Sequence, residues 1–494
     1  MALVLGLAVA GCTGASPLRA LHDPPPAHGP NILLIVTDQQ RRNALGAAGD
    51  GIVRTPSLDR LAAAGIRFTR AYAADPECGP SRYAMFTSHY PPELGTFDNE
   101  IRPRPGFRYL PQYLNAAGYF TGSVGKLHFI PYGVTNGFRE TYHHEFLAEP
   151  AGISDYFPWL LAQLRRRGLP RVDPMPRGRD WYRTLSGLTG TNPYPEDLTS
   201  EAWTTDRALD VIAHAKRLGR PFFVQASYFA PHPPYLPLPK YLRLYDPRSI
   251  RLPASFDAPT GPNQYDDLSA DDFRIVIQHY YALVTQVDHQ IGRLLDGLDA
   301  LGVTDDTLVL FVSDHGDLMG EFRLLGKDQP YEGCIGVPFL MRWPGRIAPG
   351  QVSNAPVSLI DVVPTFLDAA GVPIPSDLRG RSVLPIARGE EAGAERTVFV
   401  VQVEHEPFDF VVAREGSWKL TCRARPDGRC AYRLVDLASD PAELKDRMRD
   451  PAAAAPRARL QDELERFWQQ ESRFVPPVLP QREPHATIRE PIEN

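Results

Sequence analysis

Two aspartates in this 494-residue chain each close an apolar run: Asp38 follows Ile35-Val36-Thr37, and Asp314 follows Phe311-Val312-Ser313. If both runs are buried strands of one α/β sheet, the carboxylates fall along its carboxyl edge, where such sheets bind ligands. Gln39 and His315 stand beside them, so the set offers carboxylate, amide carbonyl and imidazole donors to one divalent cation. One aspartate at a strand end serves equally well to cap the next helix; two on one edge favour the metal. Cys78 opens the stretch Cys78-Gly79-Pro80-Ser81-Arg82. Proline two residues after the cysteine suits the first turn of a helix running to about Ser88, which puts Cys78 at the positive end, where anionic groups are stabilised. Read alone, a single cysteine is a small buried residue.

The elements that must position these groups follow from hydrophobic patterning. Asn31 to Thr37, Phe120 to Val124, Phe222 to Ser227, Leu308 to Ser313 and Val337 to Arg342 read as buried strands. Between them come a helix opened by Thr55-Pro56 and helices near 200–218 and 270–301. That alternation predicts an α/β fold, a mostly parallel central sheet covered by helices on both faces. From about residue 386 the texture changes to strands at Thr397 to Val403, Phe410 to Arg414, Trp418 to Cys422 and Tyr432 to Asp436, then a helix over roughly 453–470. A smaller α+β domain with an antiparallel sheet is expected over 386–472, after a catalytic domain over 29–385 and before a proline-rich, charged tail over 473–494.

Beyond Tyr83-Ala84-Met85-Phe86-Thr87-Ser88, several further blocks stand in a particular order: Thr55-Pro56-Ser57-Leu58-Asp59-Arg60-Leu61, Gly125-Lys126-Leu127-His128, Pro231-His232-Pro233-Pro234, Ser313-Asp314-His315-Gly316-Asp317, Lys327, Val337-Pro338-Phe339 and Asp440-Pro441-Ala442-Glu443. Together they resemble the sulfatase family of the alkaline phosphatase superfamily, over about residues 29–447. The resemblance implies an alkaline-phosphatase-like fold and hydrolysis of a sulfate monoester, with Cys78 oxidised to formylglycine by a formylglycine-generating enzyme. It implies metal ligands at Asp38, Gln39, Asp314 and His315, completed by residue 78, with Ca2+ as the usual ion and Mn2+ or Mg2+ as alternatives. It implies catalytic roles for Arg82, holding the hydrated aldehyde, for Lys126, His232 and Lys327 on the sulfuryl oxygens, and for His128 in proton transfer. Gln39 departs from the second aspartate of many members, and with Gly125-Lys126-Leu127-His128-Phe129 it resembles the choline sulfatase and phosphonate monoester hydrolase branch. A phosphonate monoester or phosphodiester substrate therefore stands as the second reading, and a non-catalytic protein binding a sulfated ligand as the third. Lys126 and Lys327 read singly are solvated surface lysines, and His143, His144, Asn99 and Trp181 serve equally as leaving-group contacts or as packing.

With 43% hydrophobic residues the chain can bury a large core, and its net charge of −6 with no lysine- or arginine-dense run excludes nucleic acid as a partner. Residues 1–12 form an apolar run too short to span a bilayer, ending Val9-Ala10-Gly11-Cys12. This resembles a bacterial lipoprotein signal, implying a lipid anchor at Cys12, a tether over 13–28 with Pro24, Pro25 and Pro26, and a periplasmic or outer-membrane location. A cleaved ordinary signal or a buried N-terminal segment is the alternative. Cys422 and Cys430 bracket an Asp427-Gly428 turn signal, so opposed strands would bring their sulfurs close; a disulfide or two free thiols fit. Cys334 is expected as a buried small hydrophobe.

Overall fold

The structure, a computed structural model, describes residues 29–145, 154–172, 180–258, 263–403, 409–425 and 429–475. The expected signal, the tether at 13–28, the Asp427-Gly428 turn and the tail beyond residue 475 lie outside these residues.

Asn31–Thr37 (β1) is an almost unbroken run of leucine and β-branched residues, the composition of a strand covered on both faces. Its side chains alternate between two cores. Leu33 and Ile35 join one apolar cluster, while Ile32, Leu34 and Val36 join another. The remaining strands of its sheet are Ile66–Tyr72 (β2), Phe120–Gly125 (β3), Glu140–His143 (β4), Phe222–Ser227 (β5), Thr307–Ser313 (β6), Phe339–Arg342 (β7) and Gln351–Ser358 (β8), in the order β4-β3-β5-β1-β6-β7-β2-β8. The pairings from β4 through β6 are parallel, and so is β2 with β8; β7 runs antiparallel to both its neighbours. The first cluster is roofed by helices Pro56–Ala63 (α1), Ser200–Arg217 (α4) and Ala270–Ala300 (α5), the second by Cys78–Thr87 (α2), Leu110–Ala116 (α3) and Val362–Ala369 (α6). The expected α/β sheet with helices on both faces is what the chain forms.

Three strands lie outside the expected set. β2 carries Arg67 and Arg70 between its apolar residues, β4 is only four residues long, and the first half of β8 is not buried. None of them shows the continuous apolar run that marked the central strands. β7 is shorter than expected at its start: the Val337 amide donates to Ala71 O and Pro338 has no amide to give to the ladder.

Val398–Gln402 (β9), Phe410–Glu415 (β10), Trp418–Ala424 (β11) and Cys430–Asp436 (β12) form a second, antiparallel sheet in the order β12-β11-β10-β9, packed by helix Ala454–Glu471 (α7). Cys422 and Cys430 are joined by a disulfide with Cα atoms 5.1 Å apart. The register sets Cys422 opposite Tyr432 and Cys430 opposite Ala424, so the bond runs diagonally across the strand pair rather than between directly opposed residues. Ala84 of α2 belongs to the apolar cluster of this sheet, so the small sheet buttresses the helix that begins at Cys78. Cys334 is fully buried with a free thiol, as expected.

Candidate active site

Strand register explains why distant residues meet. Thr37 pairs with Ser313, Val36 with Ser227, and Gly125 with Ser227. Four adjacent parallel strands therefore end at one level, and the residues that follow β1, β3 and β6, namely Asp38, Lys126 and Asp314, emerge side by side on the carboxyl edge. At Gly125 the chain turns out of β3 with φ +96°, and a Cβ there would lie 1.9 Å from Ser227 O, so only glycine lets the strand release Lys126 at this point.

α2 supplies the opposing wall. Its ten residues are all buried, with Cys78 at the first helical position. The Gly79 amide, one of the donors without a partner inside the helix, is met by Asn99 Oδ1 at 2.8 Å. Arg82, one turn further on, is wholly buried between the carboxylates: its Nε donates to Asp314 Oδ2 at 2.8 Å and Nη2 to Asp38 Oδ2 at 3.3 Å. Nη1 donates to Lys126 O at 2.8 Å and Ser227 Oγ at 3.0 Å. Arg82 thus holds the two aspartates, a role that motif reading alone did not assign to it.

Donor atoms of Asp38, Cys78, Asp314 and His315 all lie within 4.8 Å of one another, and every one of these residues is buried. His315 Nδ1 is turned to Gly316 O at 2.9 Å, which leaves Nε2 facing inward, 3.1 Å from Cys78 Sγ. Two carboxylates, an inward imidazole nitrogen and a sulfur position converging in a dry cleft form a donor set suited to one divalent cation. The remaining expected ligand, Gln39, adopts φ +68°; its amide Nε2 donates to Asp317 Oδ2 at 2.5 Å and its backbone N to Asp314 Oδ1 at 3.0 Å. That leaves the Gln39 carbonyl oxygen as its donor toward a metal.

Cationic groups surround this cluster. Lys126 Nζ lies 2.5 Å from Asp38 Oδ2, and Lys327 Nζ lies 2.7 Å from Cys78 Sγ and 3.4 Å from His315 Nε2. Burial alone would raise the Asp38 carboxyl, but Lys126, His232, Arg82 and His315 together hold it well below the usual carboxylate range. Burial lowers Lys327, yet Cys78, Asp38 and Asp328 outweigh it and keep the ammonium above its ordinary value. The Cys78 thiol is pushed up, first by burial and then by Asp38, against Lys126 and Lys327. A thiol so placed stays protonated and is a poor nucleophile as it stands.

Both histidines expected in catalysis are held neutral. His128 is driven far down by burial and by Lys126, Arg82 and Lys327, and its buried Nδ1 has no hydrogen-bond partner. His232, also lowered chiefly by burial, gives Nδ1 to Pro233 O at 2.6 Å, so Nε2 is its free nitrogen. The burial and the cations that keep an imidazole neutral also make it a weak base, so either histidine takes up a proton only when negative charge develops beside it.

Sequence reasoning gave no role to two acids that the structure brings in. Asp317 is buried and accepts from Gln39, from Tyr235 Oη at 3.0 Å and from the Met319 and Gly326 amides at 2.9 Å, tying Gln39 to the loop that ends at Lys327. Glu145 accepts from the Leu127 and His128 amides. Asp317 lies within the Ser313-to-Asp317 block and was visible there; nothing in the sequence around Glu145 announces it. Of the residues with two open readings, Asn99 caps α2 and His144 is buried against Tyr156, Phe157 and Phe229. Both of these contacts are packing or capping contacts.

The sequence pattern of the family described as Sulfatase matches residues 30–372, and that described as N-sulphoglucosamine sulphohydrolase, C-terminal, matches residues 320–470. The chain is 29% identical over 463 residues to the choline-sulfatase of Rhizobium meliloti, with 87% of this chain and 85% of the relative covered. It is 30% identical over 383 residues to an arylsulfatase of Clostridium perfringens, covering 72% of this chain and 77% of the relative. Among solved structures, the phosphonate monoester hydrolase of Agrobacterium radiobacter superposes with a TM-score of 0.75 at 24% identity, over 90% of this chain and 96% of that one. The phosphonate monoester hydrolase of Silicibacter pomeroyi does so with a TM-score of 0.74 at 26% identity, again over 90% and 96%.

Proposed function

Because this chain belongs to the sulfatase family and is a sulfatase enzyme, we propose that it hydrolyses a sulfate monoester at the cluster around Cys78, with residue 78 acting as formylglycine. One observation carries the reading: a buried cysteine at the start of a helix converges with Asp38, Asp314 and His315 while Lys126 and Lys327 close on the same point. An unmodified thiol in that setting has little nucleophilic power, whereas the hydrated aldehyde supplies an oxygen nucleophile that can be freed again by loss of sulfate. Asp38, Asp314, His315 and the Gln39 carbonyl would hold a divalent cation, Ca2+ by family habit, which when bound would supply Lewis acidity to the attacking hydroxyl and the sulfuryl group.

The chain's own residues do the rest. Arg82 keeps the two carboxylates fixed and aimed. Lys126 and Lys327 grip the sulfuryl oxygens, and because they are already oriented they stabilise the charge that builds there in the transition state; His232, neutral with its proton on Nδ1, joins them only once Nε2 takes up a proton. Lys327, whose Nζ lies 2.7 Å from the side chain of residue 78, stands where it can give a proton to the leaving alcohol oxygen. His128, without a partner on Nδ1, takes the proton lost when sulfate departs, as negative charge develops beside it.

A phosphonate monoester or phosphodiester is the second reading, favoured by the superposition on two phosphonate monoester hydrolases and by Gln39. The same reading of residues 1–12 that makes Cys12 a lipid attachment site makes this an exported, membrane-anchored enzyme, which fatty-acid labelling of the wild type and C12A checks.

The deciding experiment combines peptide mass spectrometry on Cys78, from protein made together with a formylglycine-generating enzyme, with a release assay. Choline sulfate, aryl sulfates, a sulfated amino sugar, a phosphonate monoester and a phosphodiester are compared with and without added calcium. Conversion of Cys78 with sulfate release that vanishes in C78A is the expected result. A converted enzyme that cleaves only the phosphorus esters moves the second reading to the front, and an unconverted cysteine in an active enzyme sinks the mechanism.

A further inference from the structure

The Lys126–His128 loop leaves β3 at the catalytic edge, and the structure shows what holds it there. β4 lies parallel to β3 and ends at His143; immediately after it, the His144 amide donates to Gly125 O at 3.1 Å. The chain is thereby laid alongside the loop, and Glu145 reaches into it. Its Oε1 accepts from the Leu127 amide at 3.2 Å and its Oε2 from the His128 amide at 2.9 Å, with the side chain only 1% exposed. His143 Nδ1 lies 3.3 Å from the same Oε1.

We propose that Glu145 is a positioning residue: its carboxylate spans two successive backbone amides and so sets where the His128 imidazole stands. The inference rests on the role given to His128 above. His128 has φ +57°, a left-handed conformation that a residue with a Cβ keeps only when its surroundings dictate it. A buried carboxylate bridging the amides of residues 127 and 128 dictates it directly, because any relaxation of φ would turn an amide away from a charged acceptor in a dry setting. On its other side the loop is fixed through Lys126 O, which accepts from Arg82 Nη1 at 2.8 Å. Gripped by a cation at one carbonyl and by an anion at two amides, the loop holds the imidazole stacked near Tyr132, ring centroids 5.9 Å apart, with Nδ1 free of any partner.

E145Q tests this with little change of shape, since an amide offers one acceptor oxygen where the carboxylate offers two. Amide hydrogen exchange followed by mass spectrometry reads the loop without any need for turnover. Exchange of the peptide covering residues 126–129 should rise about tenfold while peptides from β1 and α2 keep their protection. In the matured enzyme, kcat for an aryl sulfate should fall with KM nearly unchanged, and E145D, which keeps both oxygens, should recover part of the rate. Placed in an H128A background, E145Q should cost no more than about a further factor of two, because both changes then act on one group. If H128A retains full kcat, the role of His128 is wrong. If H128A is impaired while E145Q exchanges and turns over like the wild type, or if the two losses multiply in full, the positioning role of Glu145 is overturned. Should E145Q fail to fold, E145D carries the same tests, with a smaller rise in exchange expected and unchanged exchange overturning the proposal.

Discussion

Arg82 sits with no solvent exposure between Asp38 and Asp314, and its charge, with that of Lys126 on Asp38, allows two carboxylates to share a buried site before any cation arrives. Removing one partner of a buried ion pair leaves the other uncompensated, at a cost of about 3–5 kcal/mol. R82Q should therefore lose about that much stability in metal-free buffer, and calcium should stabilise the variant more than it stabilises the wild type, because a divalent ion supplies the missing positive charge. Chemical unfolding with and without calcium reads both effects; an equal gain from calcium in the two proteins would show that the aspartates do not face the ion. The same residue marks a limit of sequence reading. Asp38, Cys78 and Asp314 were legible because each closes or opens an element with its own local signal. That Arg82 holds carboxylates, and that Glu145 holds amides, depends on contacts between separate elements, and no local pattern encodes them.

At the scale of elements, register does most of the positioning, and the continuous apolar runs of β1, β5 and β6 made those strands plain in the sequence. β2, β4 and β8 were not, because polar or exposed residues interrupt them and pairing with neighbours supplies what their own sequence lacks. The Cys422–Cys430 bond fastens β11 to β12 at the outer edge of the small sheet, with eight positions of sequence separation. Closing a loop that short lowers the entropy of the unfolded chain by an amount worth about 2–3 kcal/mol. The double variant C422S/C430S should lose roughly that much in chemical unfolding while the proposed modification of Cys78, in a different element, proceeds as before. A loss of activity larger than the loss of stability would mean that the bond also steadies the site, through the packing of the small sheet on Ala84 of α2.

Across the whole molecule, the last turn of α7 returns to the large sheet's side of the protein. Glu471 there is buried 3.6 Å from Arg379, with Glu93 nearby. Burial, opposed by Arg379 and reinforced by Glu93, lifts its carboxyl to about 7. Since the folded state binds this proton more tightly than the unfolded chain, the stability it contributes is full below pH ~4.5 and is lost as pH rises through 7. Subtracting the pH–stability curve of E471Q from that of the wild type should expose a step of about 3 kcal/mol across that window; a flat difference would mean that Glu471 is ionised throughout. The burial of α2 has a consequence of a different kind, for the order of events in the cell. Every residue from Cys78 to Thr87 is inside the folded protein, so if Cys78 is oxidised as proposed, the enzyme that grasps this stretch can reach the sulfur only while the chain is still open. Folding and maturation are then in a race. On that proposal the fraction of active molecules would be decided once, at synthesis, and a copy that closes with its thiol intact would stay inactive however much of the maturing enzyme is supplied afterwards.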